Sequence, residues 1–105
     1  MRAALYARVS SERQEREETV QSQLASLRRH AEAKGYQVVA ECVDEGFSGT
    51  TAVRPQLDRL RELARSGAID VALFNAADRL ARSQVVLMVV VEELRQAGVR
   101  PEFVN

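Results

Sequence analysis

The sequence predicts an α/β domain three layers deep, with crossover helices on both faces of a mostly parallel sheet of about four strands. Two patterns carry that expectation. Short apolar segments alternate with longer polar ones whose apolar residues recur every three or four positions, and each helix-like stretch closes on a glycine: Gly35, Gly67 or Gly98. Size supplies a third observation. A chain of 105 residues with 46% hydrophobic content can close one core and hardly two, so residues 1–105 are expected to form a single domain.

Each element follows from its own signals. Ala3 to Val9 is short and apolar and meets Ser10 and Ser11, as in a buried strand that runs into a helix-capping turn. From Gln14 to Lys34 the chain is polar, with Val20, Leu24, Leu27 and Ala31 on one face of an amphipathic helix. Glu15, Glu17 and Glu18 read as a solvated face of its irregular beginning, and His30 as a surface histidine. Gly35 fits a left-handed cap, and Tyr36 to Val43 returns to strand-like composition. Asp44 to Val53, with Gly46, Ser48, Gly49, Thr50 and Thr51, predicts a loop.

Pro55 suits the first turn of a second helix carrying Leu57, Leu60, Leu63 and Ala64 and ending near Gly67. Ile69 to Phe74 predicts a third strand, and Val99 to Val104 a fourth. Between them, Val85 to Val91 has strand propensity, but Glu92, Glu93, Arg95, Gln96 and the Gly98 stop predict a helix over Arg82 to Ala97. An apolar run covers such a helix on every side. Val86 and Val89 are therefore expected to meet something beyond this domain's own sheet, either a partner subunit or a further segment.

Composition narrows the function classes. Fifteen basic and fifteen acidic side chains cancel, so no overall positive field marks a nucleic-acid binder, and any DNA contact must come from a local cluster or another segment. Arginine outnumbers lysine fourteen to one, Lys34 being the exception, which fits either phosphate chemistry or a GC-rich coding sequence. Cys42 is the only cysteine, so an intramolecular disulfide and a cysteine metal cluster are excluded, and a buried small apolar role is expected. The run Val85 to Val91 is far short of the ~20 residues that cross a bilayer, and no basic-then-apolar leader opens the chain. A cytoplasmic location is expected.

In open parallel sheets ligands bind beyond the carboxyl ends of the strands. Ser10 follows the first strand, Asp44 and the glycine-rich loop follow the second, and Asp78 to Arg82 follow the third, so three sequence features converge on one rim. Tyr6 is expected in the core with its hydroxyl at that rim. Serine is a poor nucleophile at neutral pH without an adjacent base or a charge-stabilising pocket. His30 lies inside a helical stretch, so a Ser-His-Asp triad has little to build with. Arginine, permanently charged and forked, matches two phosphate oxygens at once. A serine among Arg8, Arg79 and Arg82 therefore points to attack on phosphorus. Asp44 and Asp78 taken alone also permit a flavodoxin-like or receiver-like domain that holds an ion or cofactor, a reading that leaves Ser10 and the arginines unused.

Tyr6-Ala7-Arg8-Val9-Ser10, Gln14, Thr19 to Gln23, Asp44 through Ser48-Gly49, Arg54-Pro55 and Asp78-Arg79-Leu80-Ala81-Arg82 occur in the order found in serine recombinases. From about Leu5 to Val104 the chain resembles the catalytic domain of resolvases and invertases. Its Arg54-Pro55 version is most similar to the large serine integrases and transposon recombinases. The resemblance implies phosphoryl transfer on double-stranded DNA with no metal or cofactor, Ser10 forming a 5′-phosphoserine link. It implies that Arg8, Arg79 and Arg82 bind the phosphate and offset transition-state charge, and that Asp78 either orients an arginine or shuttles protons. Gln23, Asp44 and Arg54 match further polar positions of that site and are expected to bind substrate.

Each residue also has an ordinary reading: Ser10 as a helix cap, Arg8 as a surface charge, Arg79 and Arg82 as partners of acids, Asp44 as a turn cap, Gln23 as a solvated helix residue. In the family the catalytic domain continues into a long dimerisation helix and a DNA-binding region. This chain is thus expected to be the core of a longer protein, acting as a homodimer and synaptic tetramer and binding DNA mainly through regions outside it. The competing expectation is a non-catalytic remnant or oligomerisation module that pairs with full-length recombinases.

Overall fold

The computed structural model describes residues 1–9, 19–45, 54–81 and 83–105, with the side chains of all of these except Val9, Asp78 and Arg79. Four parallel strands form one sheet in the order β2-β1-β3-β4: β1 (Arg2–Val9), β2 (Gln37–Glu45), β3 (Val71–Phe74) and β4 (Arg100–Phe103). Around it lie α1 (Val20–Lys34), α2 (Pro55–Arg65), the single turn α3 (Ala77–Leu80) and α4 (Gln84–Gln96). The three-layer parallel architecture expected from the sequence is the one observed.

The alternation of side chains along β1 divides the core. Ala3, Leu5 and Ala7 face α1, where they pack with Leu24, Leu27, Ala31, Val71 and Leu73. Ala4 and Tyr6 face the other way, into a larger cluster with Cys42, Leu57, Leu60, Phe74, Leu80, Val90 and Leu94. Both faces of β1 and β3 are buried, which is why these strands read as unbroken apolar runs. Cys42 sits in that core, and burial pushes its thiol pKa up.

Several boundaries move from their expected places. The first helix begins at Val20, because Thr19 is extended and its hydroxyl accepts from the Ser22 amide at 3.1 Å; Gln14, Glu15, Glu17 and Glu18 lie outside the described residues. Gly35, at φ 74°, ends it in the left-handed conformation expected of it. The second strand runs two residues further than composition suggests, since Arg8 and Val9 of β1 pair with Asp44 and Glu45. The third starts at Val71 rather than Ile69.

The helix expected over Arg82 to Ala97 starts at Gln84, capped by the Ser83 hydroxyl, and a separate one-turn helix, α3, precedes it. Extended Ala81, at φ −162° and ψ 141°, separates the two. Val86, expected to reach beyond the domain, packs against the core instead, whereas Val89 is exposed together with Val85 and Met88. His30 is half-buried rather than a free surface residue: its Nε2 lies 3.0 Å from Glu102 Oε1.

Candidate active site

The carboxyl ends of β1 and β2 bring together Tyr6, Arg8, Asp44 and Arg54. Register pairs Tyr6 with Cys42 and Arg8 with Asp44, and strand alternation gives Arg8 and Asp44 the same side of the sheet as Tyr6. Arg54, the residue before Pro55, enters from the start of α2. Arg8 is 2% exposed and Arg54 0% exposed. Burying a guanidinium is costly unless an anion or a full set of acceptors compensates it.

Asp44 is the carboxylate at the centre. Its Oδ1 accepts from the Gln56 amide at 3.0 Å, and its Oδ2 from the Leu57 amide at 3.0 Å and the Tyr6 hydroxyl at 2.8 Å. Arg54, the N-cap residue of α2, makes no side-chain capping bond, so Asp44 caps that helix from the neighbouring strand. The ordinary reading of Asp44 as a cap therefore describes its contacts, although the element capped is α2 and not the following turn. Three donors on two oxygens also make it poorly suited to hold an ion, as a receiver-like reading would need. Among the described residues no cluster of three or more His, Cys, Asp or Glu side chains could hold a metal.

Among the described residues, Arg54 is held on one side only. Its Nη2 donates to the Leu80 carbonyl, and its guanidinium lies over the Tyr6 ring, 5.6 Å from the centroid. Nε and Nη1 are buried and have no hydrogen-bond partner among the described residues. Burial lowers the pKa of Arg54, against the fields of Tyr6, Asp44 and Asp58; it remains a cation at any physiological pH. Burial pushes the Tyr6 phenol well above its usual range, helped by Asp44 and opposed by Arg54 and Arg8, so Tyr6 is a neutral donor.

Gln23 reaches this rim from the other face of the sheet. It is fully buried, and its Nε2 donates to the Arg8 carbonyl at 3.4 Å, so the solvated reading does not hold. The backbone of Asp78 and Arg79 lies on α3, directly after β3, at the same end of the sheet. Ser10, next in the chain after β1, and Arg82 lie outside the described residues, as do Ser48 and Gly49. Sequence reading missed Asn75, which is buried at the end of β3 and donates to the Gln23 carbonyl at 3.3 Å. An asparagine closing an apolar strand was the available signal.

Fold and rim together define a parallel α/β domain with arginines buried at the carboxyl edge of its sheet, a class suited to gripping an anion. The chain belongs to the family described as "Resolvase, N terminal domain", whose model matches residues 3–105. It is 37% identical over 103 residues to a "Putative DNA recombinase" of Bacillus subtilis (strain 168), covering 97% of this chain and 20% of that protein. It is 42% identical over 67 residues to the "Transposon Tn21 resolvase" of Escherichia coli, covering 60% of this chain and 35% of the resolvase. The chain thus spans about a fifth and a third of these relatives.

Solved structures agree on the fold. The C-terminal catalytic domain of ISC1926 TnpA, an IS607-like serine recombinase, superposes on all of this chain with a TM-score of 0.87 and 35% identity, over 68% of its own length. The N-terminal catalytic domain of TP901-1 integrase does so with a TM-score of 0.88 and 31% identity, over 78% of its own length.

Proposed function

We propose that this chain is the catalytic domain of a DNA site-specific serine recombinase, part of a longer cytoplasmic protein. The observation that carries the proposal is Arg54: a buried guanidinium with two donor nitrogens unmatched by acceptors among the described residues, at the same strand end as a second buried arginine, Arg8. A phosphate diester at the rim would supply the missing acceptors and charge. Family membership supports the choice of DNA as the source of that phosphate, because relatives are described as a DNA recombinase and transposon resolvases.

In this reading the Ser10 Oγ attacks a backbone phosphorus. One O–P bond forms to Ser10 as the bond to the 3′-oxygen breaks, and the serine proton is accounted for in the released 3′-hydroxyl. The product is a 5′-phosphoserine diester. One phosphodiester replaces another, so the bond energy is retained, and attack by a 3′-hydroxyl of a new partner strand reverses the step without a high-energy cofactor. Arg8, Arg54, Arg79 and Arg82 bind the phosphate and offset charge on its oxygens as the transition state forms. Asp78 orients one of these arginines or relays the proton, and Gln23 and Asp44 shape the pocket, Asp44 by anchoring α2 and the Tyr6 hydroxyl.

A neutral domain offers few of the phosphate contacts that drive DNA affinity, so most binding and all base reading fall to other parts of the protein. Assembly as a homodimer, and as a tetramer when two sites are joined, is supported by the exposed apolar residues Val85, Met88 and Val89 on α4.

The test is a covalent trap. The intact protein, incubated with a supercoiled plasmid carrying the genomic DNA that flanks its coding sequence and quenched with denaturant, is expected to leave protein on 5′ ends. Ser10→Ala should abolish the adduct while leaving DNA binding unchanged. An adduct that survives the substitution, or no adduct in the unaltered protein, overturns the proposal.

A further inference from the structure

Asn75 follows β3 at the rim and carries no role in the reaction just proposed. Its side chain is buried, and Nδ2 donates to the carbonyl of Gln23 near the start of α1 at 3.3 Å. Gln23 in turn donates through Nε2 to the carbonyl of Arg8 at 3.4 Å. Asn75 is itself fixed from two sides: its carbonyl accepts from the Asn105 amide at 2.7 Å, and the preceding residue, Phe74, pairs with Tyr6 in β1. β3 is thus tied to two consecutive elements far before it in the sequence, in series through α1 to the end of β1.

Both amide bonds are long, so neither contributes much to stability alone. Their location gives them meaning. Asn75 Oδ1 is buried with no hydrogen-bond partner among the described residues. A polar side chain kept in a dry place with its carbonyl oxygen unmatched among the described residues costs free energy that an apolar side chain of the same size would not. Stability by itself would favour leucine there.

We propose that Asn75 is a positioning residue: through Gln23 it fixes the Arg8 carbonyl, two residues before Ser10, and so sets where β1 delivers its serine. The positioning stands on this geometry; its catalytic consequence rests on the recombinase reading. A displacement of about 1 Å at a reacting group can cost about a hundredfold in rate, so a modest tether at this point has leverage that it would lack elsewhere.

The tether is read first without DNA, by amide hydrogen exchange on the intact protein. Asn75→Leu is expected to speed exchange at Ala7 to Val9 and Gln23 to Leu24 about threefold to fivefold, as loss of one long buried hydrogen bond would, and to leave the amides of α2 within about 1.5-fold. In a Gln23→Leu background the same substitution should change nothing further at Ala7 to Val9. Unaltered exchange at those residues, or a uniform rise across the chain, overturns the inference. Should Asn75→Leu fail to fold, Asn75→Ala carries the same expectations. Asn75→Ser, shorter but still a donor, should recover part of the protection.

The second arm is the rate of Ser10 linkage to DNA at saturating plasmid. Asn75→Leu should slow it about tenfold with the half-saturating DNA concentration unchanged, and an equal rate overturns the catalytic consequence. An unaltered protein that forms no linkage at all counts against the recombinase reading, and the exchange measurement then decides this one.

Discussion

Arg54 makes the trade between folding and function visible at a single side chain. Among the described residues its buried charge has one backbone acceptor, one aromatic face and two unmatched donor nitrogens, an arrangement that a protein optimised for stability alone would replace. Exchanging buried charges for apolar groups of similar size is often neutral or stabilising. Arg54→Met is therefore expected to leave Tm unchanged or raise it, while lowering the rate of Ser10 linkage at least about a hundredfold, the order expected when a preorganised oxyanion donor is removed. A Tm fall of the size expected for a broken core, with linkage intact, would show that Arg54 is structural. At this scale the sequence named Arg8, Gln23, Asp44 and Arg54 as members of one site, and they do lie at one end of the sheet. It could not say that Asp44 caps α2, because that bond joins residues twelve and thirteen positions apart across a strand end and a helix start.

The elements show a division between the two ends of the strands. At the carboxyl end Arg54 and Asn75 are buried with polar atoms that have no partner among the described residues, whereas at the amino end Arg2 and Asp70 are matched in the open. The Arg2 amide and guanidinium both donate to Asp70, at 2.7 Å from the amide, and the Asp70 amide returns a bond to the Arg2 carbonyl at 2.8 Å. The Arg2 side chain, and then its amide, hold the Asp70 carboxyl down to about 2. In the unfolded chain an aspartate titrates near ~3.9. Folding therefore favours the ionised form, and the stabilisation is complete above about pH 4 and lost as pH falls through about 2.

Arg2→Ala should move the Asp70 midpoint, followed by NMR, part of the way back to the ordinary value, since the backbone amide still donates. An unmoved midpoint would assign the shift to the amide alone. Exposed pairs of this kind add little to stability near neutral pH. The split of the last predicted helix into α3 and α4 has a comparable local cause. Leu80 must turn into the core, Ala81 extends, and Ser83 starts a new helix, so the described part of the motif, Asp78 to Ala81, ends at an element boundary that apolar periodicity does not register.

Over the whole molecule, the sheet is covered on both faces, and the three most exposed of the described valine, leucine, isoleucine, methionine and phenylalanine side chains after Met1 lie on α4. Val85, Met88 and Val89 are 71%, 68% and 48% exposed, spaced three and four apart on one face of the helix. Replacing all three with serine or glutamine should cost little stability, on the order of 0.5 kcal/mol per site, because they bury little within the domain. If the assembly proposed above uses this face, sedimentation of the same variant will show a smaller species than the unaltered protein. An unchanged species would move the association elsewhere.

The sequence by itself determined the succession of strands and helices along the chain, the parallel three-layer arrangement and the end of the sheet where Arg8, Gln23, Asp44 and Arg54 lie, because apolar periodicity, glycine caps and the strand-end rule are local patterns with global consequences. Only the tertiary structure decided which side chain satisfies which. Asp44 on α2, Gln23 on Arg8, Asn75 on Gln23 and His30 on Glu102 are bonds between elements, and their partners lie between twelve and seventy-two residues apart. A donor in one segment carries no mark of the acceptor it will meet until packing of the two apolar faces has brought both to the same place.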